Sequence, residues 1–194
     1  MGEHARRYEH VAEYFKNVNI NTIAIDLRGH GNSQGKRGHM PSFEYMMNDL
    51  KLSISEIFSA YKGLPLILYG HSMGGNLIIN YLLRSAEGIS GAIVTGPYLR
   101  LGFEPPKWKV LLAKLSANIY PSLSQSTGLE KIALARSSQV IQEYENDPLV
   151  HDKITASFFI NIHQAGIDAI ARSKELKTAI LLMHGANDRL TSPE

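Results

Sequence analysis

A serine flanked by glycines and set between two apolar runs constrains the fold of this chain more than any other feature. Residues 64–69 have the composition of a buried strand, and the apolar run that ends at Ile79 fits a helix. The pattern Gly70-x-Ser72-x-Gly74 between them is typical of a nucleophile elbow, a sharp turn that lifts a serine hydroxyl above a parallel sheet. Such patterns also arise by chance in glycine-rich turns, but a strand before and a helix after favour a nucleophilic serine.

The composition excludes several classes of function. The chain has 194 residues, is 44% hydrophobic and carries a formal charge of +2, enough for one domain or one domain with an insertion. It contains no polybasic block, so we expect no nucleic-acid partner. It has no cysteine, which excludes disulfides and thiol nucleophiles and is compatible with a cytoplasmic location. No apolar run reaches the length of a membrane span.

Strand and helix patterns alternate along most of the chain. The predicted elements are, in order, helix 3–16, strand 20–27, helix 42–63, the elbow strand and its helix, strand 89–95, helix 164–173 and strand 178–183. This alternation predicts an α/β fold with a mostly parallel sheet flanked by helices. The glycines of the loop 28–35 open no helix, so they do not fit a dinucleotide-binding fingerprint.

The alternation breaks over residues 98–159, which we interpret as an inserted helical cap. The predicted organisation is therefore core residues 1–97, a cap over 98–159 and core residues 160–194. One predicted cap helix carries an apolar stripe, which consists of Trp108, Leu111, Leu112, Leu115 and Ile119. We expect this stripe to pack the cap onto the core; contact with acyl chains or a membrane surface is the alternative.

Three motifs together resemble the monoacylglycerol lipase and lysophospholipase group of α/β-hydrolases. They are Gly-His-Ser-Met-Gly-Gly at residues 70–75, Asp-Leu-Arg-Gly-His-Gly-x-Ser at 26–33 and His-Gly-x-x-Asp at 184–188. The resemblance spans nearly the whole chain. It implies an α/β-hydrolase fold with an inserted helical cap, and hydrolysis of lipid carboxylic esters, such as monoacylglycerols or lysophospholipids, through an acyl-enzyme on Ser72. It implies no metal or organic cofactor.

The resemblance also assigns roles to individual residues. Ser72 is the nucleophile, Asp188 is the acid that orients a histidine, and the backbone N–H of Met73 is one oxyanion donor. Residues 1–4, Met-Gly-Glu-His, match the end of a His-Gly-x-Gly-Glu-His segment of the family, which makes the N–H of Met1 the second donor. The chain thus resembles one cut inside that segment, and its sheet is expected to be incomplete.

The histidine of the triad is the departure from the family pattern. Triad order in this fold is serine, acid, histidine, and none of the six residues after Asp188 is a histidine. The histidines that precede it are His4, His10, His30, His39, His71, His151, His163 and His184. We expect none of them to be the general base, so the triad histidine should lie outside this chain. The competing acids are Asp147, Asp152 and Asp168, while Asp26 is expected to anchor the loop around Arg28.

The sequence leaves other functions open. An esterase, a thioesterase or an acyltransferase can use the same scaffold, and a non-catalytic binding module is a further alternative. The expected partner is a small lipid ester, with transient contact between the cap and a membrane surface as an additional possibility. Because it lacks the histidine, this chain by itself is expected not to turn over esters.

Overall fold

A computed structural model describes residues 2–128 and 134–194, apart from the side chains of Lys107 and Lys109. Among the described residues, helices and strands alternate from residue 43 onwards. They are α1 (Glu9–Asn17), α2 (Phe43–Ala60), β1 (Leu66–His71), α3 (Met73–Leu82), β2 (Ile89–Thr95), α4 (Lys107–Ile119), β3 (Ser124–Ser126), α5 (Ser138–Asn146), β4 (Lys153–Thr155), α6 (Ala156–Ala171) and β5 (Ile180–Met183). A 3-10 turn over Ala5–Tyr8 precedes α1, so the first predicted helix is divided in two.

The main sheet has three parallel strands in the described residues, in the order β1-β2-β5. Leu68 of β1 lies beside Ala92 of β2, which in turn lies beside Ile180 of β5. Because the strands are parallel, their carboxyl ends meet at one edge of the sheet. The prediction of a parallel sheet is confirmed, and the sheet is incomplete.

The prediction of a strand over residues 20–27 is wrong for this structure. The segment forms no strand, and its isoleucines Ile20, Ile23 and Ile25 are exposed. A run of β-branched residues becomes a strand only where a neighbouring strand supplies hydrogen-bond partners, and the described residues supply none here.

The hydrophobic core lies on one face of the sheet, where α3 packs against β1 and β2. It consists of Ile78, Ile79, Leu82, Ala92, Val94 and Ala169. Each large aliphatic side chain buried in this way stabilises the fold by roughly 1.5–3 kcal/mol. The opposite face of the sheet exposes Ile67, Tyr69, Leu181 and Met183.

The chain divides into two compact units. One comprises Met1–His39 and Ser124–Ile154, and the other comprises Met40–Leu123 and Thr155–Glu194. The second unit contains the parallel sheet. Besides α4 and α5, the residues predicted as a helical cap contain the two-stranded β3-β4 sheet, which we did not predict from the sequence. The division into core 1–97, cap 98–159 and core 160–194 stays a prediction.

The apolar stripe of α4 does not pack onto the core, contrary to the interpretation that we favoured from the sequence. Its five side chains are all exposed, from 49% for Leu115 to 81% for Ile119. The helix packs against α6, and its half-buried positions Val110, Ala113 and Ala117 lie on the face opposite the stripe. We call Trp108, Leu111, Leu112, Leu115 and Ile119 the α4 stripe. Across residues 2–128 and 134–194, no helix combines the length and hydropathy needed to cross a bilayer.

Candidate active site

Ser72 lies at the turn between β1 and α3 with φ 51° and ψ −114°. A positive φ is expected of an elbow serine, and this conformation costs a non-glycine residue on the order of 1–3 kcal/mol. Three backbone hydrogen bonds hold the turn. The Ser72 N–H donates to the Thr95 carbonyl at 2.9 Å, and the Ser72 carbonyl accepts from Tyr98 N–H at 3.0 Å and Asn76 N–H at 3.2 Å.

The glycines around the elbow have different steric roles. A Cβ at Gly70 would lie 2.6 Å from the Gly74 carbonyl oxygen, and one at Gly75 would lie 2.9 Å from Val94 Cγ1. A Cβ at Gly74 would meet nothing within 4 Å. Close approach of helix and strand therefore requires glycine at positions 70 and 75, whereas at 74 the protein itself leaves space.

The structure describes only one of the two predicted oxyanion donors. Met73 is the first residue of α3, where a backbone N–H has no acceptor within the helix and the positive end of the helix dipole lies. Met1 lies outside the described residues. Both roles remain predictions.

Two buried asparagines, which sequence reasoning did not select, connect α3 to its surroundings. The Asn76 side-chain amide, fully buried, donates to the carbonyls of Tyr98 at 2.6 Å and Ile162 at 3.0 Å. The Asn80 amide donates to the Ala165 carbonyl at 3.1 Å. These bonds tie the helix that starts at the elbow to the loop after β2 and to α6. Their only sequence signal is asparagine at positions i and i+4 of an otherwise apolar helix.

Asp188 lies in the loop after β5. Its Oδ1 accepts the N–H groups of Leu190 at 2.8 Å and Thr191 at 3.0 Å, and its Oδ2 accepts the Thr191 hydroxyl at 2.9 Å. The Nε2 of His184 is 3.3 Å from the same Oδ2. Burial raises the pKa of Asp188, but these donors outweigh it and hold the pKa below its ordinary value. The carboxylate is therefore charged at neutral pH.

The segment after β2 is hydrogen-bonded to the loop that carries Asp188, which we call the acid loop. Leu101 and Thr191 form an antiparallel bridge, and the Gly102 N–H donates to the Leu190 carbonyl at 3.0 Å. A Cβ at Gly102 would lie 2.9 Å from the Arg189 carbonyl oxygen, so glycine permits the close approach. Thr191, three residues after the acid, could have been found from the sequence as a partner of an Asp turn.

Ser72 and Asp188 leave the same edge of the sheet, because each follows the carboxyl end of a parallel strand. Gly96, which follows β2, lies between these exits: a Cβ there would lie 3.8 Å from Asp188 Oδ2 and 3.6 Å from His71 Cε1. His71 Nδ1 in turn contacts the Thr95 hydroxyl at 2.9 Å. Among the residues that the structure describes, none hydrogen-bonds to the Ser72 hydroxyl. The catalytic roles of Ser72 and Asp188 remain predictions.

Each of the competing acids has a partner of its own. Asp147 contacts His4 at 2.7 Å, and the pKa of Asp152 is held below its ordinary value first by a hydrogen bond from Ser126. Asp168 accepts the side-chain amide of Gln164 at 2.8 Å on α6.

Asp26 anchors the loop after residue 27, as expected. Its carboxylate accepts the N–H groups of Ala5 at 2.7 Å and Asn32 at 2.8 Å, while its carbonyl accepts the Ser33 hydroxyl. His30 lies in the same loop, where burial lowers its pKa to about 4. The imidazole is therefore neutral at pH 7 and suits a structural role.

The comparisons agree with this geometry. Residues 1–194 match the family described as serine aminopeptidase, S33. The chain is 31% identical over 189 residues to a monoacylglycerol lipase of Mycolicibacterium smegmatis, covering 97% of this chain and 67% of that one. It is 30% identical over 191 residues to the rat monoglyceride lipase, covering 97% of this chain and 63% of the lipase.

Solved structures give the same result. The crystal structure of the Paleococcus ferrophilus monoacylglycerol lipase superposes with a TM-score of 0.90 at 34% identity, covering all of this chain and 73% of that one. A Saccharomyces cerevisiae monoglyceride lipase variant, solved with a substrate analogue, has a TM-score of 0.88 at 23% identity and covers 100% and 68%. The chain spans about two thirds of the length of the M. smegmatis and rat lipases. With its elbow, its parallel sheet and a family match over its whole length, the chain belongs to the serine aminopeptidase S33 family of α/β-hydrolases.

Proposed function

We propose that this chain is part of a serine hydrolase that cleaves carboxylic esters of lipids, with monoacylglycerols or lysophospholipids as substrates. The observation that carries the proposal is the positive φ of Ser72 at a strand-to-helix turn, on the same sheet edge as Asp188. The names of the M. smegmatis and rat relatives support monoacylglycerols as substrates.

The chemistry is acyl transfer in two steps. Ser72 Oγ attacks the ester carbonyl while a histidine takes its proton, and the tetrahedral oxyanion accepts the N–H groups of Met73 and Met1. The C–O bond to the alcohol then breaks, the histidine returns the proton to the leaving oxygen, and water hydrolyses the acyl-enzyme by the same steps in reverse. Each oxyanion donor contributes on the order of 3 kcal/mol to the transition state.

The role of Asp188 is to orient that histidine and to stabilise it when protonated. Two backbone N–H groups occupy Oδ1 and fix the plane of the carboxylate, so the proposal assigns the histidine contact to Oδ2, which also accepts the Thr191 hydroxyl. The proposal assigns the role of general base to none of the eight histidines of this chain.

The α4 stripe supports a second element of the proposal, transient contact with a lipid surface. Five apolar side chains on one helix face are each about half exposed or more, which is unusual for a face with no binding role. Contact with the headgroup region would bring the enzyme to its substrates.

The test measures labelling of Ser72 and ester turnover. The 194-residue chain, the longest product of its reading frame, and Ser72→Ala in both lengths are treated with a fluorophosphonate probe, monoacylglycerols, a lysophospholipid and a short water-soluble ester. Ser90→Ala, an exposed serine of β2, is the matched control.

We expect turnover and labelling in the longer protein, loss of both in Ser72→Ala, and no loss in Ser90→Ala. Turnover by the 194-residue chain would show that an internal histidine is the base. A longer protein that neither labels nor hydrolyses any ester would refute the proposed hydrolase and favour a binding module.

A further inference from the structure

His184 contacts the acid loop from the end of β5. It directly follows Met183, the last residue of that strand, and it belongs to the same compact unit as Asp188 and Thr191. Its side chain is 12% exposed. Its Nε2 lies 3.2 Å from Thr191 Oγ1 and 3.3 Å from Asp188 Oδ2. The Thr191 hydroxyl lies 2.9 Å from the same Oδ2, so an imidazole, a hydroxyl and a carboxylate are within hydrogen-bonding distance of one another.

The protons available to these groups fix the direction of each contact. A charged carboxylate can only accept hydrogen bonds, so the Thr191 hydroxyl donates its one proton to Asp188 Oδ2. The hydroxyl oxygen can then only accept from His184, which assigns the proton of the neutral imidazole to Nε2. The three side chains therefore form a chain of hydrogen bonds that runs from the imidazole through the hydroxyl to the carboxylate.

The imidazole N–H gives the Thr191 hydroxyl a fixed orientation. A hydroxyl rotates to suit its partners, and it is fixed when a donor occupies one of its lone pairs while its proton is also bound. Thr191 is only 7% exposed, which limits the replacement of His184 by water. The hydroxyl proton is thus held on Asp188 Oδ2, the oxygen that the proposed function assigns to the histidine contact.

Donors on both oxygens hold the Asp188 carboxylate in one orientation. Oδ1 accepts the N–H groups of Leu190 and Thr191, and Oδ2 accepts the Thr191 hydroxyl. Burial raises the pKa of Asp188, while the hydrogen bonds from Thr191 and Leu190 and the charge of protonated His184 lower it, with a net lowering. Without the imidazole, the hydroxyl could turn away from Oδ2 and leave the carboxylate held through Oδ1 alone.

His184 contacts the proposed acid and not the proposed nucleophile. Within residues 2–128 and 134–194, no group hydrogen-bonds to the Ser72 hydroxyl, so the contacts of His184 do not make it a general base. Its effect on the reaction would pass through Asp188 and the histidine that Asp188 orients. A misplacement of about 1 Å at a catalytic group can cost about 100-fold in rate, so the orientation of the carboxylate matters.

We propose that His184 is a positioning residue for Asp188: its Nε2–H fixes the Thr191 hydroxyl, and the hydroxyl in turn fixes Oδ2 of the acid. The inference rests on the proposed function, in which Asp188 orients the histidine of the triad. It gives His184 a role that needs one N–H donor at a defined place and needs no proton transfer.

The first test measures ester hydrolysis by variants of the longest product of the reading frame. His184→Gln keeps an N–H donor near the position of Nε2, whereas His184→Met has a side chain of similar length with no donor. Thr191→Val removes the hydroxyl, and its combination with His184→Met completes a double-mutant cycle. His10→Ala, at an exposed histidine of α1, is the control.

We expect His184→Met to lower kcat about 10-fold or more. KM should change less than about threefold, because the acid stabilises charge that its histidine gains in the transition state. His184→Gln should keep kcat within about threefold of the wild type, and His10→Ala should match the wild type. Thr191→Val should lower kcat less in the His184→Met background than in the wild type.

Two results of this test would overturn the inference. Equal kcat values for His184→Gln and His184→Met would show that the N–H donor has no role. A Thr191→Val loss as large in the His184→Met background as in the wild type would show that the two side chains act independently.

The second test compares urea midpoints of the same variants in the 194-residue chain and needs no activity. The decrease in midpoint caused by Thr191→Val should be smaller in the His184→Met background than in the wild type, because the chain of hydrogen bonds is already broken. Equal decreases would overturn the inference. Absence of any ester hydrolysis by the wild-type longer protein would instead refute the proposed function, and the midpoints would still decide whether His184 holds Thr191.

Discussion

Adjacent glycines in α3 give a sharp test of the packing described for the elbow. In Gly75→Ala the new Cβ would lie 2.9 Å from Val94 Cγ1 and 3.0 Å from Pro97 Cβ. Optimal carbon–carbon contacts are roughly 3.5–4.0 Å, so the methyl group overlaps its neighbours. Val94 is fully buried and cannot move aside without displacing the core. In Gly74→Ala the same methyl group would meet nothing within 4 Å.

The size of the effect follows from comparing the two variants. Alanine in place of glycine favours a helix by up to about 1 kcal/mol, and this gain is similar at both positions. Overpacking a filled core costs about 1–3 kcal/mol, and it applies to Gly75→Ala alone. The difference in the free energy of unfolding between the variants should therefore be about 1–3 kcal/mol. For a protein of this size it corresponds to a difference in Tm of roughly 2–12 °C.

Urea denaturation followed by circular dichroism measures the difference directly, with thermal melts as a second measure. Gly74→Ala should be as stable as the wild type or more stable, and Gly75→Ala less stable. Equal unfolding free energies for the two variants would show that α3 does not approach β2 as closely as described. A loss confined to Gly74→Ala would refute the steric argument altogether.

Three further predictions concern the buried amide network, the acid loop and the α4 stripe. Asn76→Ala leaves two buried carbonyls without their donor and should cost about 2–5 kcal/mol of unfolding free energy, against under about 1 kcal/mol for Asn161→Ala, whose amide bonds only within its own helix; equal losses in urea denaturation would contradict the network. Thr191→Val removes a hydrogen-bond donor to Asp188, whose pKa in the folded protein lies below its ordinary value of 3.8. The loss of unfolding free energy relative to wild type should therefore be full at neutral pH and should shrink as the pH falls below 3.8. A loss that does not depend on pH would refute the stabilisation of the Asp188 carboxylate by Thr191. Replacing two leucines of the α4 stripe by serine should reduce cosedimentation with phospholipid vesicles several-fold, and unchanged sedimentation would refute membrane contact through this face.

The elbow and its neighbouring strands could be predicted from the sequence because their signals are local. The apolar runs, the turn glycines and the strand ends lie within a few residues of each other, and β2 has the predicted bounds of Ile89–Thr95. The positive φ of Ser72 follows from the same motif. Family resemblance then identified Asp188 at the end of the last strand, which spacing alone could not do.

The contacts that surround the site could not be predicted because their partners are distant in sequence. Asn76 donates to the carbonyl of Ile162, and His4 pairs with Asp147. These partners lie 86 and 143 residues apart in the chain, and the periodicity of apolar residues gives no information on such distant contacts. The α4 stripe shows a related limit: helical spacing identifies an apolar face but not what covers it. The strand predicted over residues 20–27 does not form, because a strand needs hydrogen-bond partners on a neighbouring strand and a local pattern does not show whether they exist.

The bridge between Leu101 and Thr191 also has a consequence for the order of folding. These residues lie about 90 residues apart in the chain, and closing a loop of that length costs more entropy than the local contacts that build α3 and its turn. The elbow can therefore form early, from contacts between neighbours, whereas the acid loop gains its anchor only when both distant segments have met. Substitutions at Gly102 or Thr191 should accordingly speed unfolding and leave the folding rate nearly unchanged. The ratio of the change in folding activation free energy to the change in unfolding free energy should therefore be near zero. Ser72, the proposed nucleophile, would be in place before Asp188, the proposed acid.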